Sequence, residues 1–266
     1  MKRAAILATF FLCASTAWIA SAQPVSQAPQ GPQMRVVVPA YFVPWPGSPW
    51  ERLNATAAAH PGRIVAIANV FNGPGIALSP AWRYAFQTFR GSGGALIGYV
   101  YSSYGARPIA DVKAEIDLWF TWYGVDGIFI DEMSNVAGAH EAYYAELNDH
   151  VQALLPDALV ISNPGKATEP SYLTHPTGSL TSALCIYESD DAELRWKSDA
   201  WVQQFDRRHF CAFAYETEEY KWRAAVDNAW RQNCGFVYVT DDLWPNPWDT
   251  MPAYFESLAA YIDTTY

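Results

Sequence analysis

The sequence predicts an α/β protein of the (β/α)8 TIM-type barrel class, folded as a single domain. Three observations predict it. From Arg35 onward, eight short apolar runs alternate with segments of helical periodicity. Several of those runs end on a carboxylate or an amide, as strand ends at a barrel mouth do. About 230 residues follow the N-terminal segment, a usual length for one such barrel. A doubly wound open sheet is the other arrangement this alternation permits, but the Gly-rich phosphate fingerprint and the P-loop are both absent.

Residues 1–22 read as a signal peptide. Lys2 and Arg3 precede the almost wholly apolar stretch Ala4 to Ala20, and Ala20-Ser21-Ala22 supplies a small-residue cleavage site. The expectation is export, to the periplasm or outside the cell, with no membrane association of the mature form. Residues 23–34, rich in Pro, Gln and Ser, read as a flexible lead-in. The barrel is assigned to 35–266.

Strand one is expected at Arg35 to Phe42, followed by an aromatic, Pro-rich loop and a helix over Trp50 to Ala59. Strand two, Arg63 to Val70, runs into the Gly/Pro turn Asn72-Gly73-Pro74-Gly75. A helix over Ser79 to Arg90 carries Trp82, Phe86 and Phe89 on one face. Strand three is Ala95 to Tyr101, and a helix from Ile109 to Tyr123 follows. Strand four lies within Gly124 to Met133, where Val125 and Ile128-Phe129-Ile130 meet Asp131-Glu132. A fully buried strand ending on two adjacent carboxylates is unusual, because desolvating them costs several kcal/mol. An Asp there can also be the N-cap of the next helix. Glu141 to Leu155 is helical, Ala158 to Ser162 is strand five, and Ser182 to Tyr187 is strand six, ending on Glu188. Helix six is expected over Ala192 to Gln204, strand seven over Phe210 to Tyr215, a helix over Glu219 to Gln232 and strand eight over Gly235 to Thr240. Trp244 to Asp249 then leads into a last helix.

The formal net charge of −10 becomes −12 once Lys2 and Arg3 leave with the leader. So acidic a surface argues against nucleic acid and anionic membranes as partners. It suits a neutral or cationic substrate, and the many Trp and Tyr near loops suit stacking on sugar rings. Cys185, Cys211 and Cys234 remain after the leader, so one disulfide with a free thiol, or three small buried hydrophobes, are both open. The five histidines, His60, His140, His150, His175 and His209, show no zinc spacing, and neither a GxSxG elbow nor an EF-hand loop is present. The residues call for no cofactor and no metal, and a monomer is expected.

The chemistry-bearing residues gather at the predicted strand ends. Asp131 and Glu132 end strand four, Glu188 strand six, Glu216 strand seven, and Asp241 and Asp242 strand eight, with amides at Asn69, Asn72 and Asn163. Carboxylates crowded in one cleft raise one another's pKa. One acid held protonated beside one ionised base or nucleophile is what glycoside cleavage requires. Each acid also has a plainer reading: Glu216, Glu218 and Glu219 as a helix start, and Asp241 or Asp242 as a cap.

These residues carry a resemblance. The chain resembles the spherulin-4 family of secreted proteins, which includes the glycoside hydrolases of family 135. The shared features are Val-Pro-Ala-Tyr-Phe in strand one, Asn72 to Gly75, Ile97 to Val100 with Tyr104, and Gly127 to Glu132. Asn163-Pro164-Gly165, Tyr187-Glu188, Thr240-Asp241-Asp242 and Asn246 to Asp249 complete the set. The sequence departs from the family at Asn69-Val70-Phe71-Asn72, in place of an Asn-Pro-rich turn. The resemblance implies a (β/α)8 fold and endo-hydrolysis of α-1,4-linked polymers of galactosamine or N-acetylgalactosamine, of the kind found in biofilm matrices. It maps the family's acidic trio onto Asp131, Glu132 and Glu188. Asp131 is then the candidate nucleophile or base, Glu188 the general acid, and Glu132 a substrate-orienting or pKa-tuning group. Tyr41, Asn69, Asn72, Tyr99, Tyr104, Asn163, Tyr187, Glu216, Asp241, Asp242 and Trp248 are the candidate substrate contacts. The competing class is a non-catalytic carbohydrate-binding or matrix protein on the same barrel. A polysaccharide deacetylase would need metal ligands that the sequence does not offer.

Overall fold

The eight apolar runs pair in parallel and close on themselves. The computed structural model describes residues 33–174, 183–190 and 196–266. The predicted leader, all of the lead-in but its last two residues, His175, and the starts of strand six and helix six lie outside them. The strands are β1 (Arg35–Ala40), β2 (Ile64–Ala68), β3 (Ala95–Tyr101), β4 (Gly127–Asp131), β5 (Leu159–Ser162), β6 (Ala183–Ser189), β7 (Phe210–Ala214) and β8 (Phe236–Val239). They follow one another around the barrel in chain order, and β8 pairs with β1. The helices are α1 (Pro49–Ala59), α2 (Pro80–Gly91), α3 (Ile109–Leu118), α4 (Glu141–Leu154), α5 (Ser171–Thr174), α6 (Trp222–Arg231) and α7 (Phe255–Thr265).

Strands of such a barrel are buried on both faces, which is why they read as unbroken apolar runs rather than alternating ones. Every residue of β2 is buried, as is every residue of β7. The inward set is fixed by contacts that cross the lumen. Phe129 of β4 meets Phe213 of β7 with ring centroids 6.0 Å apart, although the two strands are not neighbours. Tyr41, just beyond β1, meets Tyr99 of β3 edge-on at 5.6 Å. Outward residues pack against helices, and here a glycine is required. A Cβ on Gly98 would stand 2.4 Å from the Trp119 ring, so that indole can lie against β3 only because position 98 has no side chain.

Both early helices open with Pro in the first turn, where a missing N–H costs nothing. The helix predicted over Ile109 to Tyr123 is present but changes pitch: α3 passes into a π-helical turn, Trp119–Tyr123. That wider turn carries Trp119, whose Nε1–H donates to the Tyr99 carbonyl at 2.8 Å.

Two expectations are corrected and one open choice is decided. Helix six is not helical where described: Trp196 to Asp199 are irregular and Ala200–Gln204 is a 3₁₀ turn. Side-chain anchors override helix propensity there, with Ser198 N–H and Oγ both bonded to Gln232 Oε1 and Trp196 stacked on Tyr187 at 4.5 Å. The helix expected from Glu219 starts at Trp222, so Glu216, Glu218 and Glu219 do not form its first turn. The three cysteines are all buried free thiols, which settles the choice in favour of small core side chains over a disulfide. Strands one, two and four are also shorter than predicted, because their last residues bend into the rim.

Candidate active site

The C-terminal ends of β3 to β6 bring Asp131, Asn163 and Glu188 together. Asp131 is the last residue of β4, and its parity is that of the inward Phe129. Glu188 reaches the same interior through an irregularity. The β6–β7 register runs Cys185 against Cys211 but then Tyr187 against Ala212 and Glu188 against Phe213, a bulge that inserts Ile186. A bulge re-aims the side chains beyond it. In a regular strand, with Ile186 paired like its neighbours, Tyr187 would share the inward face of Cys185. With the bulge, Glu188 takes the parity of the lumen-facing Phe213, and Tyr187 turns away to stack on Trp196. The Tyr187 ring is therefore not brought to the acid pair, contrary to its expected role as a substrate contact.

Asn163 ties the two acids. Its Nδ2 donates to Asp131 Oδ1 at 2.8 Å and to Glu188 Oε2 at 2.8 Å. The carboxamide cannot flip, since its Oδ1 accepts from Gly165 N–H at 2.9 Å. Gly165 in turn accepts from Glu188 N–H at 3.0 Å, so the Asn163-Pro164-Gly165 turn holds Glu188 by backbone and side chain together. Gly165 has φ +66°, and a Cβ there would lie 3.3 Å from Glu188 Oε2. The turn needs glycine for both reasons.

Tyr99 completes the shell of Asp131, its hydroxyl donating to Oδ2 at 2.9 Å. Burial and the nearby carboxylates push the Tyr99 and Tyr41 phenols well above their ordinary range, so both remain protonated donors. Burial also raises Asp131, opposed by donors from the Glu132 N–H, Tyr99 and Asn163. Glu188 is raised to about 7 by burial and then by the charge of Asp131, with only Asn163 among the described residues acting against it. The donor count separates the two: Asp131, with three donors against one, is the first to ionise, and its charge then raises Glu188.

The backbone at Asp131-Glu132 is clamped on both sides. Ser102 N–H donates to the Asp131 carbonyl (3.0 Å), and Tyr104 N–H to that of Glu132 (2.7 Å). The buried Ser102 hydroxyl donates to the Glu132 carbonyl at 2.8 Å and meets the Tyr144 hydroxyl, which accepts from Ser134 N–H. Glu132 is held at φ +50°, and its carboxylate takes no hydrogen bond among the described residues. Left-handed non-glycine residues cluster along this rim, at Asn72, Ser103, Tyr104, Glu132 and Glu216. Strain of this kind collects where function overrides local preference.

The remaining candidates divide. Tyr41 and Tyr99 face the acid pair. Trp248 lies over the β7–β8 side, its ring 5.8 Å from Phe213 and 6.2 Å from Tyr238. Tyr104 is an exposed ring on the rim, and Asn72 and Asp241 are exposed there too. Three others are occupied with holding loops. Asn69 Oδ1 accepts from Gly73 N–H (3.0 Å), and Glu216 Oε1 accepts from Trp244 N–H (3.2 Å). Asp242 accepts from Leu243 N–H, Thr250 N–H and the Thr250 hydroxyl. Asp242 thus holds the loop from Leu243 to Thr250 and caps no helix, since α7 has Tyr254 at its N-cap.

Sequence reasoning missed Ser102, Tyr144 and Trp119, which position the acids from outside, and it missed the bulge at Ile186. Ser102 is marked only as a polar residue at a strand end, and Tyr144 and Trp119, on helical segments, read as ordinary core aromatics. Among the described residues no cluster of three His, Cys, Asp or Glu could hold a metal ion, and no helix is long and apolar enough to cross a membrane.

The model of the family described as Spherulation-specific family 4 matches residues 35–262. The chain belongs to the spherulin-4 family. It is 33% identical over 174 residues to Spherulin-4 of Physarum polycephalum, a match covering 64% of this chain and 49% of that protein. The spherulin-4 chain thus spans about half the length of that curated relative. Its fold is similar to that of Aspergillus clavatus Sph3, solved in complex with GalNAc, with a TM-score of 0.75, 24% identity, and coverage of 88% of this chain and 98% of that one. It is also similar to a GH99 endo-alpha-mannosidase from Bacteriodes thetaiotaomicron, with a TM-score of 0.54, 11% identity, and coverage of 86% and 96%. These neighbours share the closed (β/α)8 barrel of this chain.

Proposed function

We propose that this spherulin-4 chain is a secreted, endo-acting glycoside hydrolase that cleaves α-1,4-linked polymers containing galactosamine or N-acetylgalactosamine. The observation that carries the proposal is the pair Asp131 and Glu188, bridged by Asn163 and met by unequal numbers of hydrogen-bond donors. Two buried carboxyl groups with separated pKa values can supply the acid and the nucleophile of glycosidic cleavage. The sugar class is supported by the relative Sph3, whose structure holds GalNAc, and by the acidic balance of the chain, which suits a substrate bearing amines.

In this reading Glu188 gives its proton to the glycosidic oxygen while Asp131 Oδ attacks the anomeric carbon, and the leaving chain departs as the alcohol. Water then attacks the glycosyl-Asp131 ester as Glu188, now ionised, takes its proton, returning both groups to their starting states. One Asp131 oxygen and one Glu188 oxygen each lie 2.8 Å from the same nitrogen, so they stand no farther apart than twice that distance. Retaining glycosidases have carboxyl groups about 5–5.5 Å apart and inverting ones about 6.5–9.5 Å, which favours retention here. Glu132, Tyr41, Tyr99 and Trp248 would line the sugar subsites around the pair.

The test is incubation with galactosaminogalactan, Pel-type and glucosamine polymers, with sizing of products and NMR of the first anomer released. Oligosaccharides of retained configuration support the proposal. Binding without release of any oligosaccharide would assign the chain to the non-catalytic class.

A further inference from the structure

We infer that a second carbohydrate-binding site lies on the outer wall of the barrel, in the groove between α1 and α2, where Trp45 and Tyr84 hold a hexosamine-containing stretch of polysaccharide. The inference rests on the polysaccharide reading above, but the groove shares no residue with the cleft.

The groove encloses about 360 Å³, within the range of small-ligand sites. Two large aromatic rings stand on it in water: Trp45, from the loop after β1, is 62% exposed, and Tyr84 of α2 is 74% exposed. A single exposed ring needs no explanation, but two lining one concavity mark a binding surface. The floor is Trp50, buried, with its Nε1–H already spent on the Phe42 carbonyl at 2.9 Å. Beside Pro44, Pro46, Ala81 and Ala85 the groove therefore offers flat aromatic faces, which match the C–H face of a pyranose ring.

Two polar groups say which apolar ligand fits. Asn54 Oδ1 is buried against the groove with no hydrogen-bond partner among the described residues. An unsatisfied buried acceptor of this kind is an exception in folded proteins, and a ligand O–H or N–H would satisfy it. Glu51 lies at the edge, one oxygen accepting from Gly47 N–H at 2.7 Å and so fixing the loop that carries Trp45. Its charge favours an ammonium or an amide N–H on the ligand. A lipid chain or an apolar peptide face would leave both groups unused, whereas an amino sugar uses rings, acceptor and carboxylate together.

The test is native affinity electrophoresis through gels containing soluble, partly deacetylated α-1,4-galactosamine polymer, run in a Glu188→Gln background so that the polymer is not consumed. Trp45→Ala and Tyr84→Ala are each expected to weaken retardation at least fivefold, and the double variant more. The same two substitutions in the otherwise unaltered enzyme leave turnover of a short soluble oligosaccharide within twofold. Equal retardation of the double variant and its parent overturns the inference, as does a parent that the polymer does not retard. Retardation that depends on Trp45 and Tyr84 in a protein that hydrolyses nothing would uphold the groove and overturn the hydrolase proposal instead.

Discussion

Asp131 and Glu188 share one hydrogen-bond donor, the Asn163 carboxamide nitrogen, 2.8 Å from an oxygen of each. The sharing is unequal in consequence. Asp131 has two further donors, Tyr99 and the Glu132 N–H, whereas Asn163 is the sole donor among the described residues that opposes the upward shift of Glu188. A carboxylate with more donors ionises first, and its charge then raises the pKa of its neighbour. The division of labour between acid and nucleophile follows from donor count and burial rather than from residue type.

Removing either acid should abolish most turnover. Asp131→Asn and Glu188→Gln are each expected to lower kcat by about 10²–10⁴-fold. Circular dichroism of the variants should match the parent, since both substitutions keep side-chain shape and volume. Near-normal kcat in either variant would remove it from the reaction.

The pH profile should carry its alkaline limb near Glu188's value of about 7, because the acid must be protonated to act. In Asp131→Asn the neighbouring charge is gone, so the Glu188 titration should move down. Carbon-13 NMR of labelled glutamate reads this without any activity. A Glu188 titration that stays put would show that the two carboxyl groups do not interact.

Asn163→Leu takes away the donor that lowers both pKa values. The expected result is a higher alkaline limb together with a kcat reduced by about 10–100-fold, in line with lost positioning. A residue that merely supported the fold would lower stability without moving the limb.

Stability should depend on pH in the sense set by a raised acid. The folded protein holds the Glu188 proton to about pH 7, while the unfolded chain releases it near 4.5, so stability falls as pH rises between those values. Glu188→Gln removes that penalty. It should gain on the order of 2 kcal/mol over the parent at pH 8 and nearly nothing at pH 4, read from urea midpoints at the two pH values.

Deleting Ile186 tests the bulge. Pairing would then run without a register shift and still set Tyr187 against Ala212 and Glu188 against Phe213, so Glu188 keeps its lumen-facing parity. Activity should be largely retained, together with a cooperative thermal transition. A loss as deep as in Glu188→Gln would mean that the bulge itself, and not the pairing with β7, aims Glu188.

What the sequence by itself determined is the barrel and the end of it that matters. The unbroken apolar runs of β1 to β8 could only be strands buried on both faces, and their carboxylate and amide ends marked the rim, because those signals are local and repeat eight times. Strand three was legible to the residue, Ala95 to Tyr101, and Asp131 stood out as a charge directly following Ile128-Phe129-Ile130. The tertiary structure alone decided the rest. A period of two along β6 puts Tyr187, not Glu188, on the face of Cys185, and only pairing with β7 shows that Ile186 is extra. Helical propensity over Ala192 to Gln204 gave way to the Ser198–Gln232 bonds, which join residues 34 apart. The protonation of Glu188 likewise depends on burial and on Asp131, a residue 57 positions away in the sequence numbering, whose charge is felt only once the barrel has closed.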